Sequence, residues 1–143
     1  MEIVLVDDRN FQDAVEVYTI SWRESHREIC SLEFLQNRDY AGYLRKKLGK
    51  LYMILDSGPV GVFCLDGEHL GDLYIRPNRQ GRGYGTVCIR FAMGRTSCLQ
   101  LTVLSTNSPA IQLYEKLGFR FTGKDTLLRD SLWEREMKYG SPD

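Results

Sequence analysis

The feature that most constrains this chain is a run of alternating glycines, Arg79-Gln80-Gly81-Arg82-Gly83-Tyr84-Gly85-Thr86, set between a strand pattern and a helix pattern. Glycine has no Cβ, so its backbone reaches left-handed angles that other residues avoid. Three such residues let successive amide N–H groups converge on one concavity at the positive end of the following helix. Arg79 and Arg82 add charge. The arrangement suits a pyrophosphate. The Gly-Lys-Ser/Thr ending of a nucleoside triphosphate loop is absent, and the run reads GxGxG rather than the dinucleotide GxGxxG. Taken alone, the stretch also fits a glycine-rich turn that binds nothing.

The flanking periodicities predict an α/β domain. Residues 2–6 (EIVLV) read as a strand. Phe11, Val15, Tyr18 and Trp22 mark one face of a helix over 10–22, and Ser31 caps a second over 31–48, ended by Gly49. Strands follow at 51–55 and 60–65, joined by a turn at Asp56-Ser57-Gly58-Pro59, then at 69–75, stopped by Pro77. A helix runs from about Gly83 to Arg95, and a strand from 99 to 104. Ser108-Pro109 opens a helix, with Ser as cap, and Gly118 closes it. Residues 119–123 and 132–138 read as closing strands. Residues 1–140 are expected to form one domain, with 141–143 a loose tail.

Composition excludes several classes. With 19 basic and 19 acidic residues, the chain lacks the cationic excess of a broad nucleic-acid binder. No apolar run approaches a membrane span. Cys30, Cys64, Cys88 and Cys98 show no CxxC spacing, which predicts reduced, mostly buried thiols and no metal site. The opening MEIVLVDDRN is too acidic for a signal peptide, so a cytoplasmic location is expected.

A second constellation follows the glycine run by about 25 residues: Asn107-x-x-Ala110, then Leu113-Tyr114-Glu115-Lys116-Leu117-Gly118-Phe119. Alone it fits a capped helix with a half-buried tyrosine. Together with Gln80-x-x-Gly83-x-Gly85 after Leu73-Tyr74-Ile75-x-Pro77, it resembles the two signatures of the GNAT superfamily of N-acetyltransferases. The resemblance extends to the order of strands and helices over nearly the whole chain. It implies a mixed, mostly antiparallel sheet of about seven strands, flanked by about four helices, with the central strands splayed.

The resemblance also implies chemistry. Acetyl-CoA is the expected co-substrate, held by Leu73, Tyr74, Ile75, Gln80, Gly81, Arg82, Gly83, Tyr84, Gly85, Thr86, Asn107 and Ala110. A backbone N–H near Leu73–Ile75 is expected to stabilise the oxyanion. Tyr114 matches the family's general acid toward the departing thiolate. Relatives often carry a glutamate eleven residues before the loop glutamine, where this chain has His69. A histidine of pKa about 6.5 can act as a base near neutrality. Glu68, Asp72 and water remain alternatives, with Asp72 expected on the strand face opposite His69. Trp22 and His26 are candidates for the acceptor wall, and Trp22 fits the core equally well. The expected acceptor is a small-molecule or peptide amine, attacked directly in a ternary complex by a monomer or homodimer. The alternatives are an acetyltransferase for protein N-termini and a non-catalytic acyl-CoA sensor.

Overall fold

The structure, a computed structural model, describes residues 1–140; the predicted tail at 141–143 lies outside the described residues. Seven strands are hydrogen-bonded in the order β1-β2-β3-β4-β5-β7-β6: β1 (Glu2–Leu5), β2 (Leu51–Leu55), β3 (Pro59–Asp66), β4 (His69–Ile75), β5 (Cys98–Leu104), β6 (Arg120–Arg129) and β7 (Leu132–Gly140). Five helices accompany them: α1 (Phe11–His26), α2 (Leu32–Asn37), α3 (Tyr40–Arg45), α4 (Tyr84–Met93) and α5 (Ser108–Lys116), with a 3-10 turn at Pro77–Arg79. The mixed α/β expectation holds, and the sheet is mostly antiparallel as expected. The chain falls into two compact units, one of residues 1–65 and 72–88, the other of 66–71 and from Ile89 onward.

In the first unit, β1, β2 and β3 pair antiparallel, with Val4 opposite Met53 and Met53 opposite Val62. The helix α1 lays Phe11, Ala14, Val17, Tyr18 and Ser21 on that sheet, the spacing of a single apolar stripe. Ser21 is the one buried polar residue among those described, and its hydroxyl donates to the Val17 carbonyl at 2.7 Å. Gly61 in β3 permits a close approach to β4. A Cβ there would stand 2.6 Å from the Tyr74 carbonyl oxygen and from Ile75 Cδ1.

The single helix predicted over 31–48 is two short ones. Ser31 caps α2 as expected, accepting from the Phe34 amide at 3.1 Å. Arg38 then turns extended (ψ 137), and Asp39 caps a fresh helix by accepting from the Gly42 amide at 2.9 Å. A free carboxylate beside a helix amide competes with continuation of the first helix, which is why Asp disfavours helix interiors.

Asp72 in β4 adopts φ 51, a left-handed value rare for non-glycine residues. Simple alternation along β4, on which the expected facing of Asp72 relied, therefore fails at that residue.

In the second unit, His69 at the start of β4 pairs with Gln100 of β5 in parallel, and β5 pairs antiparallel with β7. The strand β6 runs to Arg129, well past the predicted 123. Gly123 (φ 90) lies where the β6–β7 register shifts, so the glycine marks a bulge and not an end. Leu99, Leu101, Val103, Phe119 and Met137 are among this unit's buried apolar residues, with Leu70, Ile89, Ala92 and Cys98.

Candidate active site

The glycine run sits between β4 and α4 as its flanks predict. Gly81 and Gly83 have φ 77 and 87, and a Cβ on either would meet nothing within 4 Å. The turn is thus open, and conformation, not crowding, calls for glycine there. Gly85 has an ordinary φ and lies in the first turn of α4 with Thr86. The Val87 amide donating to the Gly83 carbonyl at 3.1 Å opens the helical ladder. The amides of Tyr84, Gly85 and Thr86 precede that bond and have no carbonyl partner in the helix. They stand at its positive end, next to an open turn with two left-handed glycines. This is the anatomy of an anion cradle.

The surrounding side chains brace the turn. Gln80 donates from Nε2 to the Ile75 carbonyl at 3.1 Å, tying the loop to the end of β4. The Tyr84 hydroxyl donates to the Asp56 carboxylate at 2.6 Å. That bond lowers the Asp56 pKa and raises that of Tyr84. Arg79 is occupied too, bonding the Asp56 carbonyl and, at 3.2 Å, the Tyr84 hydroxyl oxygen. Of the two arginines expected to add charge, Arg79 is therefore structural. Arg82 is exposed and makes no ion pair among the described residues.

The second signature sits in the other unit. Asn107, and not Ser108, caps α5, its Oδ1 accepting from the Ala110 amide at 3.3 Å. Asparagine and serine cap about equally well, and here it is the Asn107 side chain that reaches a free amide of the first turn. Gly118 (φ 102) ends the helix in a left-handed cap, with the Phe119 amide donating to the Tyr114 carbonyl at 2.9 Å. The ring of Tyr114 packs on that of Phe119, centroids 5.9 Å apart, the apolar contact that accompanies such caps. Both ends of the Tyr114 side-chain stem are thereby fixed by helix-termination chemistry. Burial pushes the Tyr114 pKa up, which keeps the phenol protonated. His69 is exposed, its ring lying over Gly71.

The N-terminal candidates Trp22 and His26 are brought together with residues the sequence did not mark. Their rings stack at 3.7 Å, and His26 Nδ1 lies 3.0 Å from the Trp22 carbonyl. Burial lowers the His26 pKa, with the nearby Arg38 charge acting in the same direction. The Arg38 guanidinium lies over four rings, 4.1 Å from the Trp22 centroid, 4.7 from Tyr43, 5.0 from Tyr40 and 5.4 from Tyr18. Its Nη1 donates to the Tyr18 hydroxyl at 3.1 Å. Tyr43 in turn donates to both Asp72 oxygens, at 3.1 and 2.9 Å. Tyr74 joins through its ring, 5.5 Å from Tyr18 and 6.3 Å from His26. This cluster lines the Asp72–Ile75 segment of β4. Leu73, Tyr74 and Ile75 are all half-buried there.

Comparison with known proteins agrees with this anatomy. Residues 45–121, more than half of the chain, match the acetyltransferase (GNAT) domain family. A peptidyl-lysine N-acetyltransferase YjaB from Salmonella typhimurium is 36% identical over 66 residues, covering 46% of each chain. A mycothiol acetyltransferase from Acidothermus cellulolyticus is 44% identical over 68 residues, 42% of this chain and 21% of that one. The chain thus spans under half the length of these curated relatives. Among solved structures, the apo form of YjaB from Escherichia coli superposes with a TM-score of 0.74 at 24% identity, covering 98% of both chains. The PaiA N-acetyltransferase of Thermoplasma acidophilum, solved with coenzyme A, gives 0.69 at 18% identity, again over 98% of both. By family match, fold and the two signatures together, this chain belongs to the GNAT family of acetyltransferase domains.

Proposed function

We propose that this chain, as one domain over residues 1–140, transfers an acetyl group from acetyl-CoA to an amine. The observation that carries the proposal is the pair of left-handed glycines, Gly81 and Gly83, opening directly onto the unpaired amides of α4. An open turn with convergent donors fits a diphosphate, and a fold neighbour was solved with coenzyme A. Arg82 supplies the local positive charge. Acetyl-CoA, when bound, supplies the activated acyl group as a thioester.

The chain's own residues then have distinct tasks. A free alkylamine has a pKa of about 10.4 and arrives protonated, so a base must remove a proton before attack. His69, Glu68, Asp72 or water fill that role. Tyr114 remains a phenol across the physiological range and donates a hydrogen bond to the departing sulfur. A CoA thiol resembles cysteine, with a pKa near ~8.5, so a more basic phenol stabilises the thiolate without full proton transfer. Cys88 is buried and its thiol is pushed up to about 12, so it offers no thiolate nucleophile. That favours direct attack by the amine over an acetyl-enzyme.

Relatives named as peptidyl-lysine acetyltransferases favour a second reading, in which the acceptor amine is a lysine side chain in a peptide. Release of free CoA thiol from acetyl-CoA, followed across a panel of amines, amino acids and lysine peptides, tests both. Saturable acetyl-CoA binding with no turnover on any acceptor would reduce the protein to an acyl-CoA-binding module.

A further inference from the structure

Arg38 stands where a guanidinium is unusually well held and unusually poorly neutralised. Four aromatic faces surround it, and it makes one side-chain hydrogen bond, from Nη1 to the Tyr18 hydroxyl. No carboxylate lies within ion-pair distance of it among the described residues, although the cation is half-buried. Ring quadrupoles stabilise a cation without consuming its N–H donors, which lie in the guanidinium plane. Stacking over Trp22 at 4.1 Å fixes that plane and leaves a fork of donors unfilled. Such a fork matches a carboxylate in bidentate geometry.

A second, independent feature lies beside it. The Asp72 carboxylate is held by both of its oxygens on the Tyr43 hydroxyl, in a left-handed backbone conformation that Asp adopts at some cost. Tyr43 therefore touches both charges, its ring under Arg38 and its hydroxyl on Asp72, yet no ion pair joins the two. A cation and an anion are kept apart on one aromatic scaffold, next to the β4 segment where the oxyanion amide is expected.

Building on the acetyltransferase reading above, we infer that the acceptor is an amine that also carries a carboxylate. Arg38 takes the carboxylate in its open fork, and Asp72 faces the amine end. Arg38 is thus a specificity-determining residue for amino-acid-like substrates. The bound acceptor exchanges no bond with Arg38; only its position is set.

The test uses amino acids of increasing amine–carboxylate separation, from glycine to 6-aminohexanoate, each paired with its primary amide. For the best-fitting spacing, kcat/KM for the acid exceeds that for the amide by about 10- to 100-fold, the scale of a charge-assisted hydrogen bond. Arg38→Met removes the preference and brings the ratio to about one. Arg38→Lys retains charge and stacking but loses the fork, so the ratio falls severalfold while the fold is kept. A binding readout without turnover runs alongside in a Trp133→Phe background, where Trp22 is the remaining indole. The same amino acids perturb its fluorescence saturably in the parent, and the Arg38→Met protein does not respond. A ratio near one in the parent, or an unchanged ratio in Arg38→Lys, overturns the inference even when amines are acetylated. Saturable carboxylate binding that needs Arg38, with no acceptor turned over, keeps the carboxylate subsite but sinks the acetyltransferase reading and the acceptor assignment with it.

Discussion

Replacing Gly83 with alanine tests the cradle directly. At φ 87 an L side chain is strained, and the left-handed penalty is roughly 1–2 kcal/mol. Alanine also stiffens the unfolded chain, which returns about 0.4–1 kcal/mol. The net loss is on the order of 1 kcal/mol, or about 2–4 °C in melting temperature for a chain of this size. Nothing stands within 4 Å of the new Cβ, so the protein itself does not resist the methyl group. The strain is relieved when the turn relaxes to negative φ, which swings the following amide out of the concavity. Losing one hydrogen bond to a charged phosphate costs about 1.5–3 kcal/mol, a fall of about 10- to 150-fold in affinity. Calorimetric titration with coenzyme A and a thermal melt measure the two effects separately. Gly85→Ala is the control for stability, since its φ is ordinary and its Cβ position open, and it should melt no lower than the parent. Should Gly83→Ala melt lower as calculated yet bind coenzyme A within about twofold of the parent, the phosphate assignment is wrong. Should neither quantity change, the strain argument is wrong as well.

Three further outcomes are expected. Tyr114→Phe should lower turnover about 10- to 100-fold while acetyl-CoA affinity stays within about twofold, and equal turnover would remove the hydroxyl from the acid role. His26 has a folded-state pKa held below its ordinary value by burial, so the unfolded chain takes up more protons in the window beneath about 6.5. Stability is therefore complete above that pH and declines as the solution is acidified. His26→Gln should flatten the fall in melting temperature between pH 7 and pH 5, and an identical slope would show that another group sets it. Asp7 and Asp56, whose pKa values are lowered by hydrogen bonds, lose their contribution only at more acidic pH. Gly61→Ala forces a methyl group against the Tyr74 carbonyl and should destabilise by about 1–3 kcal/mol, read as a lower urea midpoint.

What was legible from residues alone was chemistry carried by short range. The glycine turn, the Ser31 cap and the Gly118 terminus each depend on a few neighbouring residues, and each appears where its pattern stands. The division of 31–48 into two helices was missed because apolar spacing continues across it. Only Asp39, three residues before Gly42, signals a new cap, and its side chain has to win against the existing ladder. The length of β6 was missed because Gly123 reads equally as a stop and as a bulge. Arg38 had no local signature at all. Its setting is built from Tyr18 and Trp22 on one helix and Tyr40 and Tyr43 on another, so only tertiary packing assembles it. The left-handed Asp72 is hidden for a similar reason: strand periodicity assumes extended angles at every step.

The hairpin reversal after β2 has a consequence of its own. Asp56 lies 28 positions before Tyr84, yet it clasps that tyrosine and the Arg79 guanidinium. The proposed diphosphate cradle is therefore braced from a bend that lies outside the glycine run. Donors aimed in advance need little ordering when a ligand arrives, which strengthens capture without any extra contact. Altering that bend would show up as looser cofactor retention with chemistry intact. Grafting it between relatives would be a way to carry affinity from one enzyme to another while leaving every reacting group in place.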